Sequence, residues 1–287
     1  MREYLRLMRP HQWVKNGFVF TGLLFGHAWR EPALVLKVTL AAVAFSFVAS
    51  GGYIVNDLAD REQDRAHPSK RGRPLAAGTV TPRAALAVSA GLVLAGLGIG
   101  LAASTGVLLS LLVYLSLSLV YSLGLKNVLI LDVFLIASGF MIRILAGTLG
   151  VGIPPSRWLL LCGLMLTLFL GFAKRRAELN LTAEGRRESR RTLMHYTGPL
   201  LDAAMGITAA CVIMSYSLYA MSSETIRAHG TANLIYTVPF IVYGVLRYLF
   251  LVESRQRGED PARELARDPQ MLIVGVGWLV VTLLLIR

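Results

Sequence analysis

Nine apolar runs divide this chain, and they leave it one class of fold. They lie at 14–29, 34–56, 84–103, 106–123, 128–150, 157–173, 199–221, 232–252 and 270–286. Most approach the roughly 20 residues a helix needs to cross a bilayer; the first and sixth are short. A chain in hydrocarbon must satisfy its own backbone amides, and continuous apolar runs do so as helices. The pattern predicts an all-α integral membrane protein with nine transmembrane helices, folded as one domain over residues 1–287. A soluble domain is excluded, because 55% of the residues are hydrophobic, 16% are charged and the mean hydropathy is +0.58.

Charge gives the orientation. Of the 29 Lys and Arg residues, 22 fall in the N-terminal tail and in the connections 57–83, 124–127, 174–198 and 253–269. The opposite side holds five: Arg30, Lys37, Arg157, Arg227 and Arg287. Arg143 and Arg247 fall inside spans. The side richer in Lys and Arg faces the cytoplasm. The expectation is a multi-pass protein of the cell (inner or plasma) membrane with a cytoplasmic N-terminus. The net charge of +12 is then largely a topology signal and not a nucleic-acid footprint. The basic stretch MREYLRLMRPHQWVK is expected to lie along the membrane surface with Trp13 at the interface. Cys162 and Cys211 sit in apolar runs and offer neither a disulfide framework nor metal spacing.

The chemistry is concentrated at 56–74, NDLADREQDRAHPSKRGRP, directly after the second apolar run. If the helix continues, Asp57, Asp60 and Asp64 share one face, and Asn56 stands one turn before Asp60. These are hard oxygen ligands suited to Mg²⁺, which pairs one or two carboxylates with substrate phosphates. Lys70, Arg71 and Arg73 follow, placed to grip the anion. Arg65 is read as neutralising Asp64. The polar connections open on one side, which predicts a cytoplasmic-side active site and disfavours a transporter or lipid-binding protein. His11, His67 and His195 show no metal spacing, and Arg186, Arg187, Arg190 and Arg191 read as facing lipid headgroups or solvent.

The motif NDxxDxxxD followed by KRxRPLxxG resembles the first signature of the UbiA superfamily of intramembrane prenyltransferases. With RPHQWVKN (9–16), YSLGLK (121–126), IRILAG (142–147), KRRAEL (174–179) and GEDP…LARDPQML (258–272), it is similar to the polyprenyl-phosphate (decaprenyl-phosphate) phosphoribosyltransferase branch. The resemblance implies a nine-helix bundle with a Mg²⁺–diphosphate site held by Asn56, Asp57, Asp60 and Asp64. It implies 5-phosphoribosyl 1-diphosphate as donor, a polyprenyl phosphate as acceptor and diphosphate as leaving group. Asp57, Asp60 and Lys126 become the catalytic candidates. Lys15, Asn56, Lys70, Arg71, Arg73, Tyr121, Arg143, Lys174 and Arg175 become the substrate-binding candidates. Glu178 is read as orienting a basic side chain, and Asp268 has no assigned role. The aromatic prenyltransferases of the superfamily, which use an allylic polyprenyl diphosphate, are the alternative. They carry a second DxxxD motif, whereas here Asp132 is followed four residues on by Ile136. The acceptor phosphate needs no general base, since a phosphate monoester is already mostly dianionic at neutral pH.

Overall fold

The computed structural model describes residues 2–66, 70–183, 193, 195–254 and 267–286. His67, Arg186, Arg187, Arg190 and Arg191 lie outside the described residues, as does most of the 253–269 connection. Regular structure among the described residues is helical. The order is α1 (Arg2–Met8), a 3₁₀ segment (Pro10–Phe20), α2 (Thr21–Phe25), α3 (Pro32–Ala59), α4 (Arg61–Ala66), α5 (Pro82–Ala103) and α6 (Thr105–Leu123). There follow α7 (Leu131–Ala146), α8 (Arg157–Ala183), α9 (Gly198–Met221), α10 (Ser223–His229), α11 (Val238–Ser254) and α12 (Pro269–Leu285). Seven helical stretches are long and apolar enough to cross a membrane, and the 17-residue α12 is a shorter apolar helix.

Most expected spans match to within a few residues, and the departures have physical causes. The run 157–173 belongs to a helix that continues to Ala183. Hydropathy marks where an apolar environment stops, and the polar turn after it, with Lys174, Arg175, Arg176 and Glu178, remains a good helix former. The run 128–150 is helical only over Leu131–Ala146, because Gly147 interrupts it before a short 3₁₀ turn at Leu149–Val151.

The first run, 14–29, is not one helix. Its start is wound as 3₁₀ from Pro10 to Phe20 and lies along α3. Trp13 Nε1 donates to Ser50 Oγ at 3.0 Å, and Asn16 Nδ2 donates to Ser46 Oγ at 2.8 Å. Three residues of 3₁₀ helix and four of α-helix both rise about 6 Å, so the two antiparallel elements stay in register. Trp13 is therefore tied to α3.

The chain forms two compact units, one of residues 1–126 with 142–154, the other of 127–141 with 155–287. In the first, α3 packs along α5 around a core that includes Phe45, Val48, Val107 and Leu111. A smaller core of Leu7, Ile54, Leu75, Val80 and Ala85 pins α1 and the 70–80 connection to the end of α3. The 3₁₀ segment and α2 touch the 142–154 stretch backbone to backbone: a Cβ on Gly147 would collide with the Val19 carbonyl, and one on Gly22 with the Gly147 carbonyl. In the second unit α8 packs along α9, and Phe169, Leu201, Val212, Tyr248 and Leu251 fill the core. Asp268 caps α12 by accepting from Met271 N at 3.1 Å, and its other oxygen accepts from Arg247 Nη2 at 2.8 Å. This gives a role to the acidic residue that the sequence left unassigned. The Arg247 guanidinium holds the Asp268 carboxyl below the usual carboxylate range.

Replacing Gly147 with Ala is expected to lower stability by about 1–3 kcal/mol, the usual cost of overpacking. Gly91→Ala, at a helical glycine with open space around its Cβ position, is expected to be neutral or stabilising. Thermal unfolding of the two purified variants in one detergent checks the contrast.

Candidate active site

The acidic face forms at the end of α3. Asp57 lies in the last turn and Asp60 is the C-cap, after which α4 begins at Arg61. The helix breaks there, yet Asp60 N still donates to the Asn56 carbonyl at 2.9 Å and Asp64 N to the Asp60 carbonyl at 2.8 Å. The i,i+4 path thus carries through the break and keeps Asp57 and Asp64 within reach of one group. That group is Arg73: its Nη1 is 3.0 Å from Asp57 Oδ1 and 2.7 Å from Asp64 Oδ2. The side chains of Asp57 and Asp64 are both only 3% exposed.

Other cations complete the cluster. Lys126, in the turn after α6, reaches Asp60 Oδ1 at 2.7 Å, and Lys70 stands 3.7 Å from Asp64 Oδ1. Arg9, which sequence reasoning did not select, bonds to Asp57 Oδ1 with its Nη2 and lies over the Tyr53 ring, 5.4 Å from the centroid. Its signal was present in the sequence: a basic residue opening RPHQWVKN, for which only Lys15 was singled out. Asn56 donates to Asp60 Oδ2 at 3.1 Å and accepts from Ser122 Oγ at 3.3 Å. Arg65 does not neutralise Asp64; it pairs with Glu62 and donates to the Ala76 carbonyl, which helps fold the 70–78 loop back. Leu75, 1% exposed, anchors that loop and so aims Arg73 at the aspartates.

The remaining candidates divide. Arg71 is exposed, while Tyr121, Lys15 and Lys174 are half-buried. Arg143 is buried elsewhere in the first unit. Its Nε donates to Asn16 Oδ1 at 2.8 Å, its Nη2 to Tyr114 OH at 3.1 Å, and its guanidinium lies 4.6 Å from the Tyr114 ring centroid. Ser46, to which Asn16 is bonded, precedes Asp57 by eleven residues, about 16 Å along α3. Arg143 is thus not a member of the acidic cluster.

Arg175 belongs to a buried network of the second unit. Its Nε donates to Asp132 Oδ2 at 2.7 Å and its Nη1 to Glu178 Oε2 at 2.6 Å. Tyr196 OH donates to Asp132 Oδ1 at 2.8 Å and accepts from Ile130 N at 2.9 Å. Burial, reinforced by the Asp132 carboxylate, pushes the Tyr196 phenol well above its ordinary value, so it remains a donor. Ile130 has φ +67°, a left-handed conformation that a β-branched residue adopts only under constraint. The fold invests strain at the residue that leads into Asp132.

A metal fits the first cluster by donor chemistry: three carboxylates and a carboxamide oxygen suit a hard divalent ion. Among the described residues no three His, Cys, Asp or Glu side chains stand together as a ready cage. The aspartates are held instead by Arg and Lys, groups equally suited to phosphate.

The model of the UbiA prenyltransferase family matches residues 17–267. The chain belongs to this family. Among its relatives within the UbiA family's reach, the decaprenyl-phosphate phosphoribosyltransferase of Mycolicibacterium smegmatis is 32% identical, over 96% of this chain and 89% of that protein. The Mycobacterium tuberculosis protein of the same name is 33% identical, over 96% of this chain and 91% of its own length. The structure of a UbiA homolog from Archaeoglobus fulgidus bound to GPP and Mg²⁺ superposes with a TM-score of 0.73 at 20% identity, covering 99% of this chain and 96% of that one. This UbiA protein is therefore a multi-pass membrane protein with the family's helical fold.

Replacing Arg175 with Met leaves Asp132 and Glu178 without the guanidinium they share. A loss of about 3–5 kcal/mol is expected, as for a broken buried ion pair. Thermal unfolding in detergent measures it, and Arg71→Met, at an exposed position, should stay within about 0.5 kcal/mol of the parent.

Proposed function

We propose that this protein transfers the 5-phosphoribosyl group of 5-phosphoribosyl 1-diphosphate to a polyprenyl phosphate and releases diphosphate. The observation that carries this reading is the similarity to decaprenyl-phosphate phosphoribosyltransferases along nearly the whole of both chains. The state of Asp132 supports it over aromatic prenyl transfer. That carboxylate, which has Ile136 and no second aspartate four residues on, is spent on Arg175 and Tyr196.

Asn56, Asp57, Asp60 and Asp64 are the residues that would hold Mg²⁺. When bound, the ion supplies Lewis acidity at the departing diphosphate. Arg73, Lys70 and Lys126 already stand within ion-pair distance of the same carboxylates, so they lie within reach of that diphosphate and stabilise its growing charge. Arg71 extends the basic edge. Lys15, Tyr121 and Lys174 are assigned to the remaining substrate phosphates. Arg143 and Arg175 act as positioning residues through Asn16 and Asp132, a change from the direct binding expected of them. The lipid phosphate oxygen attacks the anomeric carbon as the bond to diphosphate breaks. It arrives already ionised, in keeping with a site that has no histidine among its described members.

We assign nine membrane crossings in one membrane domain. The seven long stretches and α12 account for eight. The Pro10–Phe25 segment supplies the ninth, since its 3₁₀ part rises about 2.0 Å per residue and brings the whole to about 30 Å. The 22-to-5 distribution of Lys and Arg supports a cytoplasmic position, on the cell membrane, for the acidic cluster and the N-terminus.

The test is direct. Purified protein, Mg²⁺, labelled 5-phosphoribosyl 1-diphosphate and a short polyprenyl phosphate should give a labelled lipid and free diphosphate. An allylic diphosphate with an aromatic acceptor should give nothing. Asp57→Ala and Asp60→Ala should each lower kcat at least about a hundredfold with the fold intact. Full turnover in both variants, or prenylation of the aromatic acceptor, would refute the assignment.

A further inference from the structure

Arg9 is placed at some conformational cost. Its backbone is left-handed, at φ 52° and ψ 59°, and Pro10 follows it. A non-glycine residue disfavours that region, and a following proline pushes it further toward extended geometry. No side-chain cap compensates at this junction of α1 and the 3₁₀ segment. What the conformation achieves is delivery: the guanidinium passes over Tyr53 and lands on Asp57 Oδ1. The same oxygen already accepts from Arg73. Two guanidinium groups thus meet on one oxygen of a buried carboxylate.

The charge count of the cluster gives this meaning. Among the described residues, Arg9, Arg73, Lys70 and Lys126 pair with Asp57, Asp60 and Asp64, four cations on three anions. A divalent ion arriving alone would add to a positive excess. A divalent ion arriving with a diphosphate adds net negative charge, because the diphosphate carries more charge than one metal ion neutralises. The cations also have somewhere to go, since guanidinium and ammonium groups bind phosphate oxygens as readily as carboxylates. Their side chains are 20–28% exposed, against 3% for Asp57 and Asp64, so at these two carboxylates the cation is the half that solvent and an entering anion can reach; Asp60, at 22%, is as exposed as Lys126.

We propose that Arg9 is a substrate-binding residue that works by exchange. In the resting protein it stands in for the divalent cation on Asp57, and it passes to the diphosphate when metal and diphosphate enter together. Metal and diphosphate then bind synergistically, and each is held weakly without the other. The inference rests on the reading of Asn56–Asp64 as a metal–diphosphate site and is independent of which acceptor the enzyme uses.

The experiment reads binding without turnover. Mn²⁺ is the probe metal, followed by the paramagnetic resonance of the free ion, with the full-length protein in detergent. Labelled inorganic pyrophosphate is the probe anion, its retention measured at a fixed free Mn²⁺ concentration. The parent protein should bind Mn²⁺ weakly alone and retain pyrophosphate only with Mn²⁺. Arg9→Gly removes the charge and suits the left-handed backbone, so its melting temperature should hold or rise. It should bind Mn²⁺ alone about five- to tenfold more tightly, and its Mn²⁺-dependent retention of pyrophosphate should fall about tenfold. Arg9→Lys, which keeps a cation, should fall between the two proteins. A glycine variant with unchanged metal affinity and unchanged retention would overturn the proposal while leaving the metal–diphosphate site standing. So would weaker Mn²⁺ binding in that variant, which would make Arg9 a mere brace for Asp57. A parent protein that retains no pyrophosphate at any Mn²⁺ concentration would instead refute the site itself, and the exchange with it.

Discussion

Carboxylates at the C-terminal end of a long apolar helix sit against the helix dipole, which favours cations there and not anions. Asp57 and Asp60 occupy that position on α3, and the first is almost wholly buried. Left alone, such charges would carry an unopposed burial penalty. The surrounding architecture of the first unit prevents this. The α1 junction brings Arg9, the 70–78 loop brings Arg73 and Lys70, and the turn after α6 brings Lys126. Three separate segments converge on one helix end, and what each contributes there is positive charge.

Two of the buried acidic groups among the described residues meet this demand in opposite ways. Asp132 sits in the first turn of α7, where the dipole favours it, and both its oxygens are bonded within the second unit. Its partners Arg175 and Tyr196 are themselves buried, and a Cβ on Gly171 would press to 2.6 Å from Val133, which keeps α8 close to α7 one turn before Arg175. Such a network is buried and already paired. Around Asp57, Asp60 and Asp64 the partners are partly exposed and outnumber the carboxylates. That arrangement suits the ligand exchange proposed for Arg9.

Much of this was legible in the sequence. Run lengths alone placed most of the helices, because hydrocarbon admits little besides helix. The spacing of Asp57, Asp60 and Asp64 put them on one face, which the structure keeps even though the helix breaks at Asp60. What was not legible depended on long-range pairing. Arg65 looked like the partner of its neighbour Asp64, but Arg73, nine residues on, takes that place, since only the fold of the loop determines which guanidinium reaches. Arg143 and Arg175 read as substrate residues from motif position. Whether a basic residue in a motif faces a ligand or a buried acceptor depends on the helix packed against it.

The winding of the N-terminal segment was equally hidden, and it bears on the site. Asn16 is held at one end by Arg143 and Ser46, and Arg9 must reach Asp57 at the other. Along α3 those two anchor points are about 16 Å apart. Seven residues separate Asn16 from Arg9; wound as α-helix they would rise about 10 Å, and as 3₁₀ about 14 Å. The tighter helix nearly closes the distance, and the guanidinium supplies the rest. An 11-residue 3₁₀ helix is unusual, since poorer hydrogen-bond geometry normally limits such runs to a few residues. Here the hydrogen bonds to Ser46 and Ser50 and the glycine contact at Gly147 offset that weakness. Arg143, buried well away from the aspartates, thereby fixes the register that sets Arg9 on Asp57.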